Sequence, residues 1–477
     1  MRFKNRVLNR VLISVKINFL GAAETVTGSK YLLTLGEDQK LKERQKKILI
    51  DCGLFQGSKI LKARNWEEFP LDINPSEIDA VVLTHAHLDH SGYLPVLIKK
   101  GFKGPIYATR GTFDLCSILL PDSGHIQEED ANFANKHGYS SHKPALPLYT
   151  RDEALSVLNF FKILEFKKTF ELFKGCELTF RRAAHILGAS CVEINYLGQK
   201  IVFSGDLGRL KDPIMKEPEF IQEADFLILE STYGDSVHDK TSPLEELERV
   251  INKTIGRGGS VIIPAFAVGR TQALLYYISM LKQAGKIPDI PVFLDSPLAQ
   301  SATDIYSNHL DEHCLSKGNC LNLESAAQYI RSVEDSKRLD LSSFPSIIIA
   351  ASGMAEGGRI LHHLKSFAPY HQHTILFTGY QAGGTLGQRI ANKKDREVKI
   401  HGMDVFINAE VLMMSNMSAH ADSEEILIWL KKFKSAPKKV FITHGEAGPA
   451  ESLKNKIETE LNWFCQIPKY LEEIKLK

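Results

Sequence analysis

Thr84-His85-Ala86-His87-Leu88-Asp89-His90 sets three histidines and an aspartate within six residues, directly after the apolar run Asp79-Ala80-Val81-Val82-Leu83. That run is short, β-branched and uninterrupted, the pattern of a strand buried on both faces. Residues i and i+2 of an extended backbone point to the same side, so His85 and His87 can converge on one metal ion. Asp89 and His90 come where the chain turns into a helix read over Ser91 to Lys100, with Leu94, Leu97 and Ile98 on one face and Gly101 as its stop. The change of direction sends this second pair towards a different point beside the first. The stretch therefore predicts two metals side by side. Histidines do gather by chance at polar strand ends, but unpaired imidazoles and carboxylates are costly to bury, which argues against chance for this spacing.

Two metals need more donors than one loop carries, and each further candidate ends a predicted strand. Asp51 follows Ile48-Leu49-Ile50, His185 lies in Ala183-Ala184-His185-Ile186-Leu187-Gly188, Asp206 in Ser204-Gly205-Asp206-Leu207-Gly208, and His444 in Ile442-Thr443-His444-Gly445-Glu446. Each alone reads more simply as a turn former or a hydrogen-bonded histidine. The set in this order is far more specific.

In that order the motifs resemble those of the metallo-β-lactamase superfamily. The resemblance implies an α/β fold, an αββα sandwich, with two Zn2+ per chain. By analogy His85, His87 and His185 would hold one zinc, Asp89, His90 and His444 the other, and Asp206 would bridge them. Asp51 would orient the ligand loop from behind. Two further stretches, Leu229-Glu230-Ser231-Thr232-Tyr233-Gly234 and Met417-Ser418-Ala419-His420-Ala421-Asp422, resemble motifs of the β-CASP nucleases, with His444 as a third. There Glu230 would orient His420, and His420 would protonate the leaving oxygen. Asp89, Glu230 and His420 are thus the candidate catalytic residues. Members acting on DNA tend to carry valine where this chain has His444, so the resemblance is to the RNA-processing branch.

The first 230 residues read as many short strands with few helices: 13–20, 30–35, 47–50, 79–83, 106–108, 176–181, 191–196, 200–204 and 226–229. Polar turns such as Gly36-Glu37-Asp38 and Leu197-Gly198-Gln199-Lys200 separate them. From about residue 235 the pattern changes to apolar strands each leading towards glycine or helix: Ser260 to Pro264, Pro291 to Asp295, Ser346 to Ala350 and Thr374 to Thr378. That is the signature of a parallel sheet covered on both faces. One more strand, Lys439 to Thr443, and an amphipathic helix complete the chain. The expected architecture is a sandwich from residues 1–234 and 415–477, interrupted by a parallel-sheet α/β (β-CASP) domain over 235–414.

The insertion carries Gly-rich turns at its strand ends, where open parallel sheets bind ligands. Small residues there let phosphates approach backbone N–H groups. Arg270, Ser352, Arg359, Tyr380 and Ser418, with Arg389 as a further arginine, are the candidate contacts to an RNA backbone. No Gly-x-x-x-x-Gly-Lys-Ser/Thr is present, which argues against a nucleotide cofactor.

Composition fits a globular enzyme: 477 residues, 43% hydrophobic and 24% charged, with a net charge of +2 that argues against a whole-surface polyanion binder. No apolar run reaches the ~20 residues of a membrane span. Met1 to Arg10 is basic and an apolar run follows, but Lys16 and Asn18 interrupt it and Ile13, Val15, Ile17 and Phe19 alternate as in a strand. A cytoplasmic protein is expected rather than a secreted one. Seven scattered cysteines without a Cys-x-x-Cys pair predict neither disulfides nor a cysteine zinc site.

The function expected is a zinc-dependent ribonuclease that hydrolyses single-stranded RNA with metal-activated water, cutting internally and leaving 5′-phosphate and 3′-hydroxyl ends. The rivals are a 5′-to-3′ exoribonuclease or DNA nuclease of the same family, a thioester or lactam hydrolase, and a non-catalytic RNA-binding subunit. The lactam hydrolase leaves Glu230 and His420 without a role, and the non-catalytic subunit is at odds with a full set of ligands. Edge strands leave a homodimer open; no residue pattern fixes it.

Overall fold

Alternation along the first strands decides which face of each sheet points inward. In the computed structural model, which describes residues 14–36, 45–138, 142–393 and 395–477, six strands lie side by side in chain order. They are β1 (Val15–Phe19), β2 (Tyr31–Leu35), β3 (Lys46–Ile50), β4 (Ala80–Val82), β5 (Ile106–Ala108) and β6 (Phe161–Ile163). β1 to β3 run antiparallel and β3 to β6 parallel. A second sheet starts as an antiparallel meander of β7 (Thr169–Phe173), β8 (Cys176–Arg182), β9 (Ser190–Tyr196) and β10 (Gln199–Phe203). β11 (Phe226–Glu230) joins it parallel to β10. Ile17, Phe19 and Leu33 of the first sheet share one buried cluster with Val192, Ile194 and Phe203 of the second. Their neighbours Leu32, Leu49 and Val81 point the other way, into a cluster shared with Leu94, Leu97 and Leu115 of the helices. The period of two thus builds a sandwich with helices outside it.

The insertion contributes β12 (Val261–Pro264), β13 (Val292–Asp295), β14 (Gln328–Tyr329), β15 (Ile347–Ala350), β16 (Thr374–Phe377), the hairpin β17 (Glu397–Ile400) and β18 (Met403–Phe406), and β19 (Glu410–Met413). Apart from the hairpin they form one all-parallel sheet, ordered β14-β13-β15-β12-β16-β19. Ile262 faces one core cluster while Val261 and Ile263 face another, which is why these strands read as apolar without alternation. The chain then returns to the sandwich. β20 (Lys439–Thr443) lies parallel to β11, β21 (Cys465–Gln466) lies beside β20, and β22 (Glu473–Leu476) pairs antiparallel with β1. The closing segment therefore extends both sheets.

Three expectations need correction. The first half is not poor in helices: Arg110–His137 is a single helix of 28 residues, capped by the Thr109 side chain and ended by Gly138 in the left-handed region. Its polar composition and Pro121 hid it, because only its first half is strongly buried. The helix read over Ser91 to Lys100 is two pieces, Leu88–Ser91 and Leu94–Lys99. The Tyr93 N–H bonds to the Cys52 carbonyl instead of the preceding turn, and Pro95 has no N–H to continue it. β6, β7, β14, β19, β21, β22 and the hairpin are short strands, most of them at sheet edges, that the alternation did not reveal. Met1–Arg10, Val11–Ile13 and the turn at Glu37–Asp38 lie outside the described residues. No helix among the described residues is long and apolar enough to cross a membrane. All seven cysteines are unpaired; six are buried and Cys314 is exposed.

Candidate metal centre

Parallel pairing carries the carboxyl ends of β3, β4, β10, β11 and β20 to one rim of the sandwich, and each delivers a polar side chain there. Asp51 and His444, each one residue past its strand, hold φ of 58° and 48°, and Ala184 just before His185 holds 66°. Non-glycine residues avoid this region unless their surroundings enforce it, so the rim is a set of sharp, braced turns. The histidine loop is clamped by main chain: Ser29 N–H donates to the Asp89 carbonyl, Cys52 N–H to His90 and Leu54 N–H to Leu88, at 2.7–2.8 Å. Gly53 makes this possible, since a Cβ there would lie 1.6 Å from the Asp89 oxygen.

Two groups of donors emerge. His87 Nδ1 lies 3.1 Å from both His85 Nε2 and His185 Nε2, and Asp206 Oδ2 lies 3.4 and 3.6 Å from those two Nε2 atoms. A tetrahedral zinc site with bonds of ~2.0–2.1 Å has ligand–ligand edges of about 3.3–3.4 Å, so the four atoms already lie close to that figure. In the second group His90 Nε2 is 3.1 Å from His444 Nε2 and 3.2 Å from Asp206 Oδ1, and Asp89 Oδ2 is 3.5 Å from His444 Nε2. Asp206 therefore turns one oxygen to each group.

The protonation states fit a cation. Burial, helped by neighbouring imidazoles, holds His85 and His185 well below the ordinary histidine range, and burial brings His87 down to about 4. These are neutral donors. Burial also opposes charge on His90, but Asp206, Asp51 and Asp89 outweigh it and push its pKa well above the usual value. That corner demands positive charge. Asp206 is held well below the carboxylate range, its burial outweighed by His444, His90 and His85. Oδ1 of Asp206, the oxygen facing the second group, is buried without a hydrogen-bond partner. The donor set, its edges and this unpartnered oxygen fit bound metal.

Behind the donors, Asp51 accepts the Nδ1–H of His90 at 2.7 Å, the Thr84 N–H at 2.7 Å and the Thr84 hydroxyl at 2.8 Å. Thr84 Oγ1 in turn lies 3.1 Å from His85 Nδ1. One carboxylate thereby fixes the tautomer of two rings and leaves their Nε2 lone pairs facing the site. Beside the donors, His420 Nδ1 sits 3.1–3.2 Å from both oxygens of Glu230, and its Nε2 is 4.0 Å from Asp206 Oδ2. Glu230 is 1% exposed and also accepts from Leu207 N–H and the Thr232 hydroxyl. Burial lowers the His420 pKa, yet Glu230 more than reverses this and raises it to about 8.

Thr84, Thr232 and His238 were not among the residues singled out from the sequence. Thr232 Oγ1 lies 3.1 Å from His444 Nδ1, and His238 Nε2 lies 2.9 Å from the His420 carbonyl. Thr84 and Thr232 flank residues already singled out, which was the signal available. Of the phosphate candidates, Arg270, Tyr380 and Ser418 gather around Tyr233, whose ring is 6.1 Å from that of His420. Burial lowers Arg270 to about 10, and its Nε has no partner. Ser352 caps a local turn by accepting the Glu356 N–H; its neighbour Gly353 packs on Phe266, which lies 6.4 Å from His87. Arg359 is turned inward, onto Asp295 and the carbonyls of Ile330 and Arg331. Arg389 pairs with Asp395 on the surface. Arg359 thus commits its terminal nitrogens to the protein, whereas Arg389, among the described residues, uses only its Nε.

Known proteins place this architecture. Residues 41–265 match the metallo-β-lactamase superfamily, 271–390 the β-CASP domain, and 404–468 the Zn-dependent metallo-hydrolase RNA specificity domain. Ribonuclease TTHA0252 of Thermus thermophilus is 34% identical over 434 residues, covering 89% of this chain and 92% of that protein. Transcription termination factor FttA of Methanosarcina mazei is 31% identical over 487 residues, covering 97% of this chain and 72% of its own. A crystal structure of an Enterococcus faecalis protein of unknown function shares the fold, with a TM-score of 0.52 at 13% identity, over 97% of this chain and 100% of that one. The chain belongs to the β-CASP family of metallo-β-lactamase-fold nucleases, and is a metal-dependent hydrolase.

Proposed function

We propose that the protein is a two-zinc ribonuclease that cuts single-stranded RNA internally, leaving 5′-phosphate and 3′-hydroxyl ends. The observation that carries this is one carboxylate, Asp206, shared between two groups of donors, with the buried Glu230 paired to His420 at its side. His85, His87 and His185 would hold one zinc and Asp89, His90 and His444 the other. When bound, the pair supplies positive charge beside the phosphoryl oxygens and acidifies water.

The chain's own residues do the rest. Asp51 and Thr84 keep the His90 and His85 lone pairs aimed inward. Asp89, 20% exposed on its side chain, offers the carboxylate open to an incoming water. Glu230 engages His420 Nδ1, so the transferable proton sits on Nε2, on the side facing Asp206. From there His420 protonates the departing 3′ oxygen. Arg270, Tyr380 and Ser418 would steady the backbone next to the cut, where a buried guanidinium with an unpartnered Nε suits a phosphate. Because water is the nucleophile, no 2′-hydroxyl takes part. RNA rather than DNA is supported by the match to an RNA specificity domain and by the name of the Thermus relative.

A gel assay on 5′-labelled single-stranded RNA, beside DNA of the same sequence, tests this as purified, after chelation and after zinc is restored. Zinc-dependent internal fragments from RNA alone are expected. Ends bearing 2′,3′-cyclic phosphate would sink the mechanism, and release of the label as a mononucleotide without longer labelled fragments would replace internal cutting by 5′-to-3′ exonuclease action.

A further inference from the structure

The turn that presents His185 is held from the insertion. It spans Ala183 to Ala189 and closes on itself: Ala183 N–H donates to the Ala189 carbonyl at 2.9 Å, and Ala189 N–H to Ile186 at 3.0 Å. Gly188, three residues past His185, therefore turns both its main-chain groups outward. Its carbonyl accepts the hydroxyls of Thr109 and Thr112, at 2.7 and 2.9 Å, from the start of the long helix. Its N–H donates to Glu312 Oε2 at 2.7 Å, and Glu312 belongs to the inserted segment. No side chain fits at Gly188: φ is 77°, and a Cβ would lie 2.1 Å from the Thr112 nitrogen.

Glu312 is 7% exposed, so this contact is made by a buried carboxylate. What offsets the burial lies on its other oxygen. His309 Nδ1 is 3.3 Å from Oε1, and His309 Nε2 is 2.8 Å from Asp114, which also takes Arg110 at 3.0 Å. Hydrogen bonding to Glu312, against burial and with help from Asp114, keeps the His309 pKa above its ordinary value. Arg110–Asp114–His309–Glu312 is thus a chain of alternating charge that runs from the surface to the Gly188 N–H. A charge-assisted bond to a main-chain donor fixes position more firmly than a neutral one.

We propose that Glu312 is a positioning residue for the metal centre: by holding Gly188, the insertion sets the place of the His185 imidazole. The proposal rests on the reading of His185 as a ligand. It makes the insertion part of the site's scaffold, because a shift of the His309–Glu312 segment moves a metal donor on the sandwich. Groups that orient ligands typically change metal affinity by about 10–100-fold when lost.

Zinc competition titrations on the full chain, stripped and then reloaded against a chromophoric chelator, test this with Glu312→Ala, Glu312→Gln, Glu312→Asp and His185→Ala, alongside thermal melts of the metal-free proteins. In E312A the zinc of the His85–His87–His185 group should loosen by about 10–100-fold while the metal-free melting temperature stays close to the parent's. E312Q keeps an acceptor for Gly188 and should restore most of the affinity; E312D, which folds with the charge but draws the acceptor back, should fall between. Parent-like zinc binding in E312A and E312D, with metal lost in H185A, would overturn the role of Glu312 alone. Parent-like binding in H185A would overturn the ligand reading beneath it. If E312A does not fold, E312D and E312Q decide: equal affinity in the two overturns the proposal.

Discussion

Among the described residues, one buried histidine–aspartate cluster lies at the rim of the sandwich and another inside the insertion, and they are built on opposite rules. In the insertion every polar atom of the His363 ring meets a carboxylate: Nδ1 lies 2.7 Å from Asp340 and Nε2 2.8 Å from Asp295. Asp295 also takes Arg359 and the Ser336 hydroxyl. Donors face acceptors and the network closes on itself. At the rim, nitrogen faces nitrogen at 3.1 Å, and the buried Oδ1 of Asp206 goes without a partner. Both clusters have the residue types of a metal site. Only the rim has like groups converging on one point, and that convergence, rather than composition, separates a site from a brace.

The hardest blow to this contrast is Asp206→Ala. It removes the oxygen facing each donor group at once, so on the proposed two-zinc reading metal content should fall from about two ions per chain to below one. Cleavage should drop by at least about a thousandfold, since each bound ion contributes several kcal/mol to the reaction. Metal analysis by plasma emission and the RNA gel assay read the two effects; a variant that kept both zincs would show that Asp206 is no bridge.

His420→Ala comes next and separates chemistry from binding within the rim. The ring is no donor to either group, so zinc should stay while turnover falls by about 10²–10⁴-fold, the usual worth of a positioned acid. Loss of zinc in step with activity would move His420 from acid to ligand.

Asp295→Ala strikes the other cluster. It strands His363 and Arg359 without their shared carboxylate, and breaking a buried ion pair costs about 3–5 kcal/mol. Urea unfolding should show that loss while the zinc content of the remaining folded protein is unchanged. Zinc lost along with stability would mean the two clusters are not independent.

What could be read ahead of the coordinates follows from how far apart the interacting residues are. His85, His87, Asp89 and His90 were legible because their geometry is set by spacing within one strand end. The strand ends at Asp51, Asp206 and His444 were legible as candidates, but their convergence depends on parallel pairing of β10, β11 and β20, which no local pattern encodes. Thr84 and Thr232 act only once distant strands meet. Glu312, some 120 residues from Gly188, carries no local mark at all. Arg359 shows a related limit: the Gly357-Gly358 turn told where the backbone bends, and Asp295 decides where the side chain goes. The helix Arg110–His137 did have signals, Thr109 before it and Gly138 after it, that its polar middle and Pro121 outweighed. β22 pairs with β1 from the far end of the chain, and its half-exposed, Lys- and Glu-bearing sequence resembles a surface segment until that partner is present.

The smallest effect expected is a pH dependence that belongs to the brace alone. Burial lowers the His363 pKa, but Asp295 and Asp340 more than reverse it, so the folded value lies above the ordinary one. A raised folded pKa means the folded state binds the proton more tightly than the unfolded chain does. Its stabilisation is complete below the unfolded pKa, about 6.5, and is lost as pH rises through the folded value. The melting temperature of the metal-free protein should therefore fall slightly, by about one degree for each ~1 kcal/mol lost in a chain of this length, between about pH 6 and the alkaline side of the folded pKa. His363→Gln should be less stable at acid pH and should flatten that slope. The same slope persisting in H363Q would place the titration elsewhere and leave the insertion's cluster as a brace whose charge state does not matter.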